Sequence, residues 1–283
     1  IPLLRPRSAL FALAGNGVIP FGRAGSVRYP RTTTGSAAGF VAEGAAIPVR
    51  QGALDLVTIA PFKAAGTIVT TRELLTRADR FAEAFVVGTL SDDLALGVDQ
   101  VFLSNSASSA AAPAGIFHSS NAAAAIGATA GGDAAACATD LANLLKAGAN
   151  FIRPTLLIHP SAVAVAIALS GSSSYAVIQA LTTGRIGPRV EVIEAGNLPA
   201  VDALALVDAE GLIVAGGDRF EIDVSTSATL HMDTAPDADV LVPVSGGMAL
   251  FQSDAVATAV KLDITWRSKR TGQVQWVSGA TWC

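Results

Sequence analysis

Three histidines, two cysteines and a knot of aspartates are the side chains here whose types could carry chemistry, and their spacing decides what they can do. His118, His159 and His231 lie far apart, without metal-ligand spacing, so structural roles are expected for them. Asp233, Asp237 and Asp239 are close in sequence, but the glycine and terminal Glu of a calcium loop are missing, which reads as a solvated turn. Asp233-Thr234-Ala235 matches part of an aspartic-protease signature, without a second copy or a following glycine. Gly15-Asn16-Gly17 lacks the third glycine and the preceding strand of a dinucleotide motif. Neither a Walker loop nor a G-x-S-x-G elbow occurs. Cys137 and Cys283 do not make a disulfide framework and fit a reducing compartment. The common carriers of catalysis and metal binding are therefore absent from the sequence pattern, and no cofactor is expected.

The elements that would have to position any site are set by composition and charge. The 283 residues allow one large domain or two modest ones. Half the chain is hydrophobic and only 15% is charged, so much of its surface is expected to be covered by other subunits. No apolar run reaches the roughly 18 residues of a membrane helix, and no membrane partner is expected. The start, broken by Pro2 and Pro6, lacks the form of a secretory signal; Ile1 in place of Met reads as a trimmed beginning. Residues 1–42 hold Arg5, Arg7, Arg23, Arg28 and Arg31 and no acid, leaving 14 of the 19 basic residues against all 23 acidic ones. A basic arm on an acidic body can bind nucleic acid or neighbouring copies of that body. Without interleaved aromatics, neighbours are the better reading.

Taken in order, residues 1–34 form an arm too punctuated by Pro, Gly and Arg to order itself, expected outside the core. Phe40 to Thr71 reads as a long β-hairpin, with strands Leu54 to Ala60 and Phe62 to Thr70 on either side of Pro61. Thr70-Thr71-Arg72-Glu73 is a capping box. A break near Arg77-Ala78-Asp79 is expected next, with Asp79 capping a second, longer helix to Ser104. Val87, Leu90, Leu94, Val98 and Val101 recur every three or four residues as its core face, leaving Asp92, Asp93, Asp99 and Gln100 to water.

Ala107 to Ala136, rich in Ala, Ser and Gly, reads as a loose connection. Thr139 or Asp140 caps a short helix, Leu141 to Ala147. Pro154 to Pro160 is a buried-type strand, and Ser161 caps a helix over Ala162 to Leu169. Short strands are expected at Arg189 to Ala195, Ala203 to Val207, Leu212 to Ala215 and Phe220 to Val224, with a turn at Asp208 to Gly211. This middle region reads as an α/β domain of its own. Val256, Thr258, Val260, Leu262, Ile264 and Trp266 alternate with Ala257, Ala259, Lys261, Asp263, Thr265 and Arg267, the period of a strand. Ser268 to Gly272 turns it and Gln273 to Val277 returns.

Five local patterns stand along this order: Val27-Arg28-Tyr29-Pro30-Arg31, Gly39-Phe40-Val41-Ala42-Glu43-Gly44, Val69-Thr70-Thr71-Arg72-Glu73-Leu74-Leu75, Pro113-Ala114-Gly115-Ile116 and Ala249-Leu250-Phe251-Gln252-Ser253-Asp254. Together with the order of parts, they make the chain resemble the major capsid protein of tailed bacteriophages over nearly its whole length. Phe40 stands where many relatives have Trp. The resemblance implies an α+β Hong Kong 97-like capsid fold. Its parts would be an N-terminal arm (1–38), an extended hairpin loop (39–71), a peripheral domain with a spine helix (72–136), an axial domain (137–239) and closing peripheral strands (240–283).

That resemblance implies a shell protein without an active site, assembling with itself into pentamers and hexamers around double-stranded DNA that it does not bind specifically. A decoration or cement protein, a portal and a scaffold or protease would be the further partners, the virion capsid the location, and the host bacterial cytoplasm the place of assembly. Arg5, Arg7, Arg23, Arg28, Arg31, Glu43, Arg50 and Gln51 are the candidate assembly contacts. Some members of this group weld subunits by a Lys–Asn isopeptide bond. Here the outer hairpin from Gly44 to Leu54 has no Lys, the nearest is Lys63, and Val240 to Cys283 has no Asn, so a non-covalent shell is expected. Two other readings remain: an encapsulin-type compartment with the same fold, and an α/β enzyme or small-molecule-binding module centred on Phe151 to Asp223.

Overall fold

The computed structural model describes residues 8–15, 17–21, 25–34, 39–47, 49, 51, 53–131, 134–160, 183–186, 188–198, 204–217, 221–230, 248–270 and 272–280. The elements run α1 (Ala9–Ala14), β1 (Val18–Pro20), β2 (Val27–Thr34), β3 (Ala53–Ile59), β4 (Phe62–Thr71), α2 (Arg72–Phe102), β5 (Ile126–Gly127), α3 (Ala134–Ala147) and β6 (Pro154–Ile158). They continue with β7 (Arg185–Ile186), β8 (Val190–Glu194), β9 (Leu204–Asp208), β10 (Leu212–Gly216), β11 (Glu221–Ser225), β12 (Thr229–Leu230), β13 (Met248–Ala249), β14 (Ala255–Ser268) and β15 (Val274–Ser278).

The strand with strict alternation, β14, is the axis of a five-stranded sheet. It pairs antiparallel with β4 along one edge, from Ala255↔Thr71 to Ile264↔Phe62. Its other edge takes β11 and then β10, with β1 added parallel to β10. The helix α2 lies along β4 and β14. Leu90 packs over Gly66, 3.9 Å from where a side chain would start there, an ordinary van der Waals contact. At the far end, the Phe102 ring meets Trp266 edge-on, with centroids 5.3 Å apart.

The helix differs from the sequence expectation in two ways. It is one element of 31 residues, roughly 46 Å long at 1.5 Å per residue, with no break at Asp79. Its cap is Thr71, whose hydroxyl accepts from Leu74 N at 3.4 Å. The second difference is Asp99. Expected in water, it is 4% exposed, beneath α1. Its carboxylate accepts Ser8 Oγ at 2.6 Å, Ala9 N at 2.6 Å and Leu10 N at 3.2 Å. A carboxylate at a helix N-terminus satisfies free N–H groups and faces the positive end of the helix dipole. Held this way, α1 drives Leu10, Phe11 and Leu13 fully into the main core beside Leu94, Val98, Phe102 and Val214. This part of the arm is therefore subunit core, not an external strap.

A six-stranded sheet, ordered β5-β15-β9-β6-β8-β7, forms the second body of structure, with α3 packed on it. Strand β6 is buried from end to end. Two expectations are corrected here. Strand β15 does not return along β14; it crosses to pair with β9 and β5. Strands β10 and β11, read as part of the middle domain, belong to the first sheet with β14. The chain passes between the sheets repeatedly, and one core holds residues of both, among them Leu157, Val207, Val214 and Trp266.

The Ala/Ser/Gly stretch is pinned rather than loose. Asn121, buried, donates from Nδ2 to Gly115 O at 3.0 Å and accepts from Ser268 N at 3.2 Å. Trp266 Nε1 donates to Ala114 O at 2.9 Å. Gly115 sits so close that a Cβ would fall 2.0 Å from Ser104 O, which requires glycine. Helix α3 begins before the expected cap. Asp140 lies inside it, accepting from Thr129 N at 2.8 Å and tying down the preceding loop. The expected helix at Ala162 to Leu169 lies outside the described residues.

Candidate functional site

The most conspicuous feature is a two-stranded ribbon. Strands β2 and β3 pair from Val27↔Ile59 to Thr34↔Ala53, so the hairpin uses the arm strand as partner of residues 53–59, and β4 belongs to the main sheet. This corrects the expected pairing across Pro61. The base of the ribbon is fixed: Val57 and Ile59 are buried against Ile213, with Ile19 and Tyr29 packed beside them. Lys269 Nζ stands 5.6 Å from the Tyr29 ring centre and donates to Glu210 O at 2.6 Å.

Away from the base the apolar character continues without cover. Leu56 is exposed, and at the tip Phe40, Ile47 and Val49 are exposed, Val49 at 94%. The tip turns through Ala45 N→Ala42 O at 3.0 Å, with Gly44 at φ 78°, a left-handed conformation suited to glycine. An isolated ribbon is marginal in water, and this one is anchored only at its base among the described residues.

Of the sequence-derived contact residues, Arg5, Arg7, Arg23 and Arg50 lie outside the described residues. Arg28 is exposed on β2 opposite Thr58, and the Arg31 backbone pairs with Asp55. Glu43 and Gln51 are exposed at the tip. On the spine, Leu90, Leu94 and Val98 are buried, whereas Val87 and Val101 are half-buried at the margins. Val86, Ala95 and Phe102 complete the buried face. Sequence reasoning missed the tip's apolar set. The signal available was Ile47-Pro48-Val49, apolar residues in a loop where polar ones are the rule.

The buried ionisable groups serve structure. Burial pushes the Asp99 carboxyl above its ordinary value of 3.8, against the lowering effect of Ser8, Ala9 and Leu10. Asp208, also buried, accepts from Arg153 N at 3.0 Å. Burial and then Asp140 push the Cys137 thiol up to about 11, which suppresses the nucleophilic thiolate. His118 Nδ1 lies 3.0 Å from Ser120 Oγ. Among the described residues no three His, Cys, Asp or Glu gather as metal ligands, and no helix is long and apolar enough to cross a membrane. His231, Cys283 and Asp233, Asp237 and Asp239 lie outside the described residues.

One further concavity bears on contacts. Between β4 and the exposed flank of α2 runs a groove of about 500 Å³, floored by Ala64, Gly66, Leu94, Val98 and Trp266. Lys63 and Asp93 stand on opposite walls, both exposed. The outer edge of β4 has no strand partner among the described residues.

A chain that uses its buried acids as hydrogen-bond acceptors while thrusting an apolar ribbon outward is built as a structural subunit. The model of the Phage capsid family matches residues 1–183. The chain belongs to that family, a family of structural proteins, and its α+β architecture is the Hong Kong 97-like capsid fold. A capsid polyprotein of Pseudomonas phage PAJU2 is 27% identical over the whole chain, which spans 43% of that relative's length. Among solved structures, one of Microbacterium phage Oxtober96 aligns with a TM-score of 0.68 at 15% identity, covering 95% of this chain and 90% of that one. The capsid of a native GTA particle also gives 0.68 at 15% identity, over 98% of this chain and 89% of that one.

Proposed function

We propose that this chain is the major shell subunit of a tailed-phage head. Copies of it associate into pentamers and hexamers that enclose double-stranded DNA. The observation that carries this reading is the β2–β3 ribbon: its base is locked into the subunit, and its apolar tip residues Phe40, Ile47 and Val49 are exposed, without cover among the described residues. A ribbon of this kind is stable once it lies on a neighbour. The arm arginines and the tip residues Glu43 and Gln51 supply polar contacts at the same junctions. DNA is enclosed without being gripped, since tight binding needs many cations on phosphates and the chain beyond residue 42 is strongly acidic. Assembly takes place in the host cytoplasm, with a portal, a scaffold or protease and a decoration protein as the remaining partners. Sedimentation with negative-stain microscopy of the purified protein tests the reading: closed particles of megadalton size are expected, and a monomer or small oligomer at all concentrations overturns it.

A further inference from the structure

Past Phe62 the main sheet opens on one side. Strand β4 stops pairing at Ile264↔Phe62, while β14 runs on to Ser268. The pinned Ala/Ser/Gly stretch approaches this free end through Ala114, bonded to Trp266, and Asn121, bonded to Ser268. A cleft of about 350 Å³ is left between that stretch, the end of β3 and β14. Its polar lining comes from all three: Thr58 of β3, His118 and Ser120 of the pinned stretch, and Thr265 and Arg267 of β14. Among the described residues no Asp or Glu lines it.

The polar atoms left unused here can donate. Four cations elsewhere stand against acids: Lys261 with Asp223, Lys269 with Glu210, Arg72 with Asp254 and Arg153 with Glu191. The Arg267 guanidinium is exposed and has no partner among the described residues. Ser120 N donates to His118 Nδ1 at 3.3 Å, so in the neutral ring Nδ1 accepts and Nε2 carries the hydrogen. That Nε2 has no partner among the described residues either. Thr265 is only 2% exposed, and its hydroxyl likewise lacks one; a buried hydroxyl left unbonded is destabilising. Arg28, exposed, stands directly opposite Thr58 and so on the same face of the ribbon. Asp263, the acid of β14, is held opposite Lys63 of β4.

We propose that this cleft is an oxyanion site that takes a phosphate group, with Arg267 as its main ligand and His118 and Thr265 completing it. A guanidinium can only donate, and its fork matches phosphate oxygens. Arg267 and Thr265 are alternate residues of one strand and share a face, and His118 comes from a separate element. Donors from separate elements surround a ligand, which suits tetrahedral phosphate better than planar carboxylate. The volume falls in the range of small-molecule sites and leaves room for a substituent on the phosphate.

Isothermal titration of the purified full chain with inorganic phosphate, at matched ionic strength, tests this. Wild type should bind phosphate saturably, and acetate more weakly. Arg267→Gln should weaken phosphate binding by about tenfold or more, the effect of losing a charged hydrogen bond. Thr265→Val, which keeps the side chain's shape, should weaken it as well. Arg185→Gln, at an exposed arginine on β7 outside the cleft, should leave it unchanged. Urea midpoints equal to wild type for Arg267→Gln and Arg185→Gln show that both variants are folded. Competition then identifies the source, and either result upholds the site: displacement by a short thymidine oligonucleotide points to nucleic-acid backbone, displacement by glycerol phosphate alone to small phosphate esters. No saturable binding by wild type, acetate bound as tightly as phosphate, or equal losses in Arg267→Gln and Arg185→Gln overturns the proposal.

Discussion

Two phenylalanines, Phe11 and Phe40, should respond in opposite ways to the same change. Phe11 is 1% exposed and sits with Leu10 and Leu13 in the core shared by both sheets, while Phe40 is fully exposed. Phe11→Ala removes a buried ring and leaves a cavity, at a cost of about 3–5 kcal/mol. Against a total stability of about 5–15 kcal/mol, that is a large fraction. Phe40→Ala, at a surface site, should stay within about 0.5 kcal/mol for the isolated subunit. Urea unfolding of unassembled subunits, followed by the fluorescence of Trp266 and Trp276, measures both. With a slope of about 1–3 kcal/mol per molar urea, Phe11→Ala should lower the midpoint by at least about 1 M, and Phe40→Ala should leave it in place. Particle yield should show the reverse emphasis, with stable Phe40→Ala subunits that assemble poorly. Coincident midpoints for the two variants would refute the docking of α1, and with it the reading of this part of the arm as subunit core.

Four further outcomes are expected. Leu94→Asp places an unpaired carboxylate in the core, costs at least several kcal/mol and should give insoluble protein; normal particles would show that the helix phase is wrong. Gly115→Ala forces a Cβ to 2.0 Å from Ser104 O and should destabilise by roughly 1–3 kcal/mol, read as a lowered urea midpoint; an unchanged midpoint would mean that this turn is open. Asp99 holds its proton more tightly folded than unfolded, so its contribution is greatest below 3.8 and is lost as pH rises through the raised folded value; wild type should therefore lose stability relative to Asp99→Asn over that rise, and parallel pH curves would contradict the burial argument. Particles boiled in SDS with reductant should run as one band at the monomer mass, because the tip carries no Lys and residues 240–283 no Asn; a ladder that survives reduction would show a covalent weld.

What the sequence made readable was local. Alternation from Val256 to Trp266 marked β14 because a strand's period is written in every second residue, and the stripe Leu90, Leu94 and Val98 marked the helix for the corresponding reason, though not its single start at Thr71. Partner choice is not local, and there the reading failed. Residues 53–59 stand next to 62–71 in the chain, yet pair with 27–34, because Pro61 and the pull of β14 carry β4 into the main sheet. Val274–Ser278 follows a turn that would suit a hairpin, yet its apolar residues find β9. Nothing within a ten-residue window distinguishes these outcomes.

The same limit explains the site. A tip of Phe40, Ile47 and Val49 and an arm helix of Leu10, Phe11 and Leu13 are equally apolar on paper. What separates them is a polar residue ninety positions away: Asp99 accepts three hydrogen bonds from Ser8, Ala9 and Leu10 and so fixes the arm helix where its side chains reach the core. No described side chain does this for the tip. Here the apolar segment with a buried polar receptor in its own chain is core, and the one without it is exposed. That asymmetry puts the first helix inside the subunit core and leaves the hairpin tip exposed, so Asp99 is the residue that draws the arm helix into the fold.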